Sequence, residues 1–154
     1  MAQATSTTER SSASWRIEIE CAPDVAEITA LEHNVDADLV RRAGDDDTQQ
    51  FAVVARNGRQ QAFAGLHAST WGGCCELLTL WVDEGVRRQG IASSLLIAAE
   101  QEAARRGCRQ VVLFTHSGGP PQLYLRHGYD VVGMVTDYPR GMSAYWLRKF
   151  LGTT

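Results

Sequence analysis

The stretch that most restricts the fold runs from Leu78 to Thr115. It opens in the apolar segment LTLWV, passes through polar Asp83 to Gln89, and enters Gly90–Arg106, rich in Ala and Leu, which predicts a long helix. Ile91, Leu95, Ala99 and Ala103 recur at a spacing of four, one apolar stripe, with Glu100, Arg105 and Arg106 read outside it. Gly107 stands where a helix-terminating glycine stands. Gln110–Thr115, QVVLFT, is then a continuous apolar run, the pattern of a strand covered on two faces. Strand, helix and strand joined this way make a parallel crossover, and few architectures accommodate one.

The flanks fill in the rest. Trp15–Cys21, WRIEIEC, alternates apolar and charged residues and predicts a half-buried first strand. Pro23-Asp24 opens a helix carrying Val25, Ile28 and Leu31, continuing to Arg42 and closed by Asp45-Asp46-Asp47 as a solvated loop. Phe51–Ala55 and Gln61–Ser69 flank Asn57-Gly58, a hairpin signal whose turn residues tolerate positive φ. Gly72-Gly73 makes a second turn into a strand at Cys74–Val82, giving an antiparallel meander. Pro120–His127 reads as a short helix stopped by Gly128, and Tyr129–Val135 and Ser143–Phe150 read as two closing strands. The expected fold is α/β: a mixed, mostly antiparallel sheet flanked by helices on both faces, in one domain over residues 15–152 behind a disordered tail at 1–14.

Composition removes several function classes. A formal charge of −3 with a single lysine argues against binding nucleic acid by broad phosphate neutralisation. No apolar run reaches the roughly 18–20 residues that span a bilayer. The polar start MAQATSTTERSSAS has no apolar core of a secretory signal, so a cytoplasmic location is expected. Cys21, Cys74, Cys75 and Cys108 lack metal-ligand spacing with one another or with the four histidines, and read as free thiols; no metal is expected. The three aspartates lack the alternation of a calcium loop.

The chemistry concentrates where the Leu78 strand meets the helix. A strand–loop–helix junction exposes backbone N–H groups at the positive end of the helix dipole, which favours an anion. GxxxxGK and GxGxxG are both absent. Instead the loop carries Arg87-x-x-Gly90-x-Ala92: two arginines, a glycine permitting close backbone approach, and a small residue at the helix start. A pyrophosphate wrapped by amides suits it.

LLTLWV, VRRQGIASSLL and the later PPQLYLRHGY together resemble the acyl-CoA-binding core of the GNAT-type N-acetyltransferase superfamily. Its signature is Gln/Arg-x-x-Gly-x-Gly/Ala, followed about thirty residues later by Tyr-x-x-x-Gly-Phe/Tyr, here Tyr124 to Tyr129. The resemblance covers about Gln61 to Phe150. It implies a GNAT-like fold using acetyl-CoA as donor. Amides of Arg87, Arg88, Gln89, Gly90, Ile91, Ala92 and Ser93 are then expected around the pyrophosphate. Leu80, Trp81 and Val82, at the end of a fourth strand, are expected to pair with the pantetheine arm, and the Leu80 N–H to stabilise the thioester oxyanion. Tyr124 corresponds to the tyrosine that protonates the departing thiolate. Glu76 stands where some members carry a general base, and alternation puts it on the strand face of Leu78, Leu80 and Val82. Two departures stand out: Glu84 replaces a frequent loop proline, and Ser117 replaces a frequent asparagine of the cofactor site.

The expected reaction is direct acetyl transfer from acetyl-CoA to a primary amine, with a small-molecule acceptor and a possible homodimer. His116, ending a parallel strand, is a further base candidate beside a loop role, and Trp71 and Tyr138 are either acceptor-pocket or rim aromatics. Three alternatives stay open: a longer acyl-CoA, an aminoacyl-tRNA donor, or a non-catalytic acyl-CoA-binding module.

Overall fold

A computed structural model of the chain describes residues 17–44, 46–118 and 121–152. Its residues fall into two compact units, Met1–Arg42 and Ala43–Thr154. In the first, α1 (Val25–Ala43) starts where Asp24 Oδ1 accepts the Ala26 amide at 2.8 Å. Glu27 in its first turn and Arg41 and Arg42 in its last complement the helix dipole. Of the strand expected at 15–21, the described residues form none: residues 17–20 have no regular structure and Cys21 lies in a bend, while Trp15 and Arg16 lie outside the described residues. Alternation supplies two faces, but a strand exists only once its amides find a partner edge.

The second unit is a six-stranded sheet in the order β1-β2-β3-β4-β6-β5. Its strands are β1 (Gln49–Arg56), β2 (Ala62–Trp71), β3 (Cys74–Val82), β4 (Gln110–Ser117), β5 (Asp130–Thr136) and β6 (Ser143–Phe150). Only β3 and β4 pair in parallel, joined by the crossover helix α2 (Ile91–Arg105). The strand bearing Leu80 to Val82 is therefore third, not fourth, among those described. α3 (Gln122–Arg126) precedes β5.

The two hairpins close differently. Gly72 and Gly73, at φ +55° and +76°, form the two-residue turn their sequence predicts. At Asn57-Gly58 the glycine keeps negative φ and Gln60 takes the left-handed position at +64°. Asn57 Oδ1 accepts the amides of Arg59 and Gln61 at 2.9 and 3.0 Å, and Asn57 O accepts that of Gln60 at 2.9 Å, so the loop has three residues. Asp47, read as solvated loop, instead accepts the Gly72 amide at 2.9 Å; Asp45 lies outside the described residues.

The core fills one face of the sheet. Ala64, Leu66 and Ala68 of β2, Val111 and Leu113 of β4, and Leu147 of β6 are all at most 2% exposed, packed with Leu95, Leu96, Ala99 and Ala103 of α2. Glu100, expected outside the apolar stripe, is largely buried because Lys149 of β6 meets it at 2.6 Å. A contact across 49 residues is invisible to helical periodicity.

Candidate active site

Two features of β3 build the site. The first is a bulge. His67 pairs with Thr79 and Ala68 with Leu77, which leaves Leu78 as an extra residue. Side chains alternate faces only within an unbroken ladder, so the bulge inverts the phase. Leu80 and Val82, opposite Leu66 and Ala64, face the core side; Glu76, Thr79 and Trp81, opposite Ser69, His67 and Gly65, face the other. Glu76 is thus not on the face of Leu80 and Val82, contrary to simple alternation.

The second feature is a split. β3 and β4 are in register only from Cys74–Gln110 to Leu77–Leu113, although β3 continues to Val82 and β4 to Ser117. Asp83 donates to Phe63 O at 2.9 Å, so its amide points toward β2. Amide directions alternate along a strand, which aims the Leu80 and Val82 N–H groups the other way, into the split. Trp81 is turned to β2 by the same alternation and its half-exposed ring lies on the opposite face, so it does not join the cleft.

Beyond β3, a 3-10 turn at Glu84–Val86 is capped by Asp83, whose Oδ1 accepts the Gly85 amide at 2.9 Å. Arg88 and Gly90 then take left-handed φ of +63° and +80°. Gly90 is the N-cap of α2 and has no side chain to cap with. The amides of Arg88 through Ser93 take part in no hydrogen bond among the described residues, and the first helical bond is Ser94 N to Gly90 O at 3.0 Å. The Arg87 amide does not belong to this set: it donates to Glu84 O at 3.4 Å. Its guanidinium is also engaged, Nε donating to Val82 O at 3.0 Å.

These groups border a cleft of about 830 Å³ that Leu80 and Val82 also line. Arg87, Arg88, Gly90, Ile91, Ala92 and Ser93 form one wall, and Tyr124, Arg126 and His127 another. Three arginines and a histidine line it with no carboxylate, although the whole chain is acidic. Gln89 and Ser117 do not line it; Ser117 sits at the end of β4 opposite Ser143. His127, not singled out in the sequence, holds the two walls together: its Nε2 lies 2.9 Å from Ser93 Oγ.

Tyr124 lines the cleft through the short helix α3. Its carbonyl accepts the amides of His127 and Tyr129 at 2.9 and 3.1 Å, and its ring meets Tyr129 edge-on at 5.7 Å. Burial pushes its phenol above the usual tyrosine range, so it remains protonated at neutral pH. Tyr124 also lines a second space of about 280 Å³, within the split between β3 and β4. Among the described residues no group of His, Cys, Asp and Glu is arranged to hold a metal ion. No described helix is long and apolar enough to cross a membrane.

A split parallel pair, aiming amides at a cleft that begins at an uncapped helix, defines an acyl-transfer fold rather than a nucleotide-hydrolysing one. The chain belongs to the GNAT family of acetyltransferases, whose family model matches residues 13–129. It is 33% identical over 108 residues to an acetyltransferase of Agrobacterium fabrum, spanning 70% of this chain and 79% of that one. It is 37% identical over 102 residues to blasticidin-S acetyltransferase of Streptomyces morookaense, covering 66% and 75% of the two chains. A crystal structure of an acetyltransferase from Bacillus cereus superposes with a TM-score of 0.72 at 27% identity, over 88% of this chain and 98% of that one. An aminoglycoside 6'-N-acetyltransferase solved with coenzyme A shares the fold at a TM-score of 0.60 and 19% identity, over 84% and 88% of the chains.

Proposed function

We propose that the chain moves an acetyl group from acetyl-CoA to the primary amine of a small molecule by direct attack on the thioester. The observation that carries this reading is the run of unbonded amides from Arg88 to Ser93 on a cleft without carboxylates. Such a surface suits the diphosphate of coenzyme A. From there the pantetheine arm lies along the open edge of β3, where the Leu80 and Val82 amides are free to pair with it. The Leu80 N–H is a fixed donor for the oxyanion, and Tyr124, in the same cleft, gives its proton to the leaving thiolate. The amine must be neutral to attack, and Glu76, exposed on the opposite face, is the base indicated by the sequence. The relative acting on blasticidin S makes that amine-bearing antibiotic the first acceptor to try.

The test is thiol release from acetyl-CoA in the presence of blasticidin S, nourseothricin or kanamycin, with hydrolysis controls. Turnover with at least one amine is expected. Tyr124→Phe lowers kcat by about 100-fold, the lower end of general-acid effects, and leaves acetyl-CoA affinity unchanged by calorimetry. Full turnover in that variant removes Tyr124 from the reaction. Release from butyryl-CoA but not acetyl-CoA assigns a longer donor, and acetyl-CoA binding without turnover against any amine leaves a binding module.

A further inference from the structure

We propose that His116, set in an aromatic wall on the sheet face opposite the cofactor cleft, is the proton acceptor of this transfer, and that the amine approaches from that face. The inference rests on the reaction proposed above and decides the step for which the sequence offers both Glu76 and His116.

Register decides the faces. In β4, Val111 and Leu113 are buried in the core, so Val112, Phe114 and His116 face the other side. The space of about 280 Å³ in the split is lined by His116 and by Tyr124. One proton-transferring group therefore reaches the gap from each side of the sheet. Glu76 does not line it. It pairs with Val112 in the still-laddered part of β3, one residue before the last parallel pair. Arg148 of β6 is likewise opposite Val112.

The imidazole is held by rings. Phe114 meets it at 4.9 Å and 82°, Tyr138 at 5.1 Å and 69°, both edge-on. Trp146 backs Phe114 at 4.7 Å. Tyr138 is itself fixed by the β5–β6 loop, where its amide donates to Met142 O at 3.0 Å and Asp137 Oδ1 accepts the Gly141 amide at 2.7 Å. His116 is exposed, so a proton it receives passes on to water.

The step balances without a further reactant. The amine lone pair forms the C–N bond and the C–S electron pair departs with sulfur. His116 takes one proton from nitrogen and Tyr124 gives one to sulfur. Water then removes the proton from the imidazolium and restores that of the phenol, leaving an amide and a free thiol.

The experiment uses the full chain with acetyl-CoA and blasticidin S, nourseothricin and kanamycin as acceptors. His116→Ala is expected to bind acetyl-CoA as the wild type does by calorimetry, to keep its circular dichroism, and to lose about 100-fold in kcat. Added imidazole restores turnover, and 4-methylimidazole, the stronger base, restores more. His116→Gln, which preserves side-chain size, shows the same loss. Wild-type turnover in His116→Ala, a loss that no imidazole repairs, weakened acetyl-CoA binding, or a deeper fall in Glu76→Gln each overturns the assignment. A wild-type protein inactive toward every amine tested brings down the transfer reading itself, and this one with it.

Discussion

Gly90 and Gly107 bound the same helix at nearly the same backbone angle, φ +80° and +82°, and a Cβ at either meets nothing within 4 Å. Replacing either by alanine therefore carries one folding cost, that of an L-residue held in the left-handed region, about 1–2 kcal/mol. Reduced freedom of the unfolded chain returns about 0.4–1 kcal/mol. A net loss of about 1 kcal/mol lowers Tm by about 2–4 °C in a chain of this size, equally for the two variants. Ligand binding separates them. At acetyl-CoA 100-fold above Kd the native state gains about 2.7 kcal/mol, a rise of about 5–10 °C. Gly107→Ala keeps that rise, because it lies at the far end of α2. Gly90→Ala places a methyl where the diphosphate must approach the amides, and loses it. Thermal melts with and without acetyl-CoA read the difference. An undiminished rise in Gly90→Ala refutes the assignment of the amide run to the diphosphate.

Two further expectations follow from the core. Lys149→Met leaves the Glu100 carboxylate largely buried without its partner, and costs about 3 kcal/mol in urea denaturation; a loss under 1 kcal/mol shows the pair to be dispensable. The Cys75 thiol, fully buried and pushed up to about 12 mainly by that burial, stays unalkylated by iodoacetamide at pH 8 in the native protein and reacts once urea unfolds it. Native labelling of Cys75 detected by mass spectrometry contradicts its placement.

Much of this molecule was legible in local pattern because local physics set it. The paired glycines at Gly72-Gly73, the stop at Gly107, the stripe along α2 and the apolar run of β4 each answer to a rule acting within a few residues. The polar stretch leading to a glycine at the start of α2 was legible for the same reason, whereas the engagement of the Arg87 amide by Glu84 O was not. What failed depended on partners elsewhere in the chain. LLTLWV is apolar except for Thr79, too little alternation to mark a change of phase, and the bulge at Leu78 emerges only from pairing with β2. Glu100 is drawn inward by Lys149, a distant residue. At Asn57-Gly58 the local rule was right about a turn and wrong about its type, since the asparagine side chain bonded two later amides and moved the positive φ to Gln60. His127 carried no motif of its own, and its bond to Ser93 joins helices 34 residues apart.

The single surplus residue in β3 makes the strand tolerant of loss at that point and intolerant of gain. Deleting Leu78 would set Leu77 and Thr79 side by side opposite Ala68 and His67, and Cys75, Leu77, Leu80 and Val82 would all keep their present side. An added residue has no such outlet: either the unpaired segment grows to two, or Leu80 and Val82 change sides with Trp81 and leave the cleft. The hairpin at Asn57–Gln61, where nothing downstream counts the residues, can gain one without that penalty.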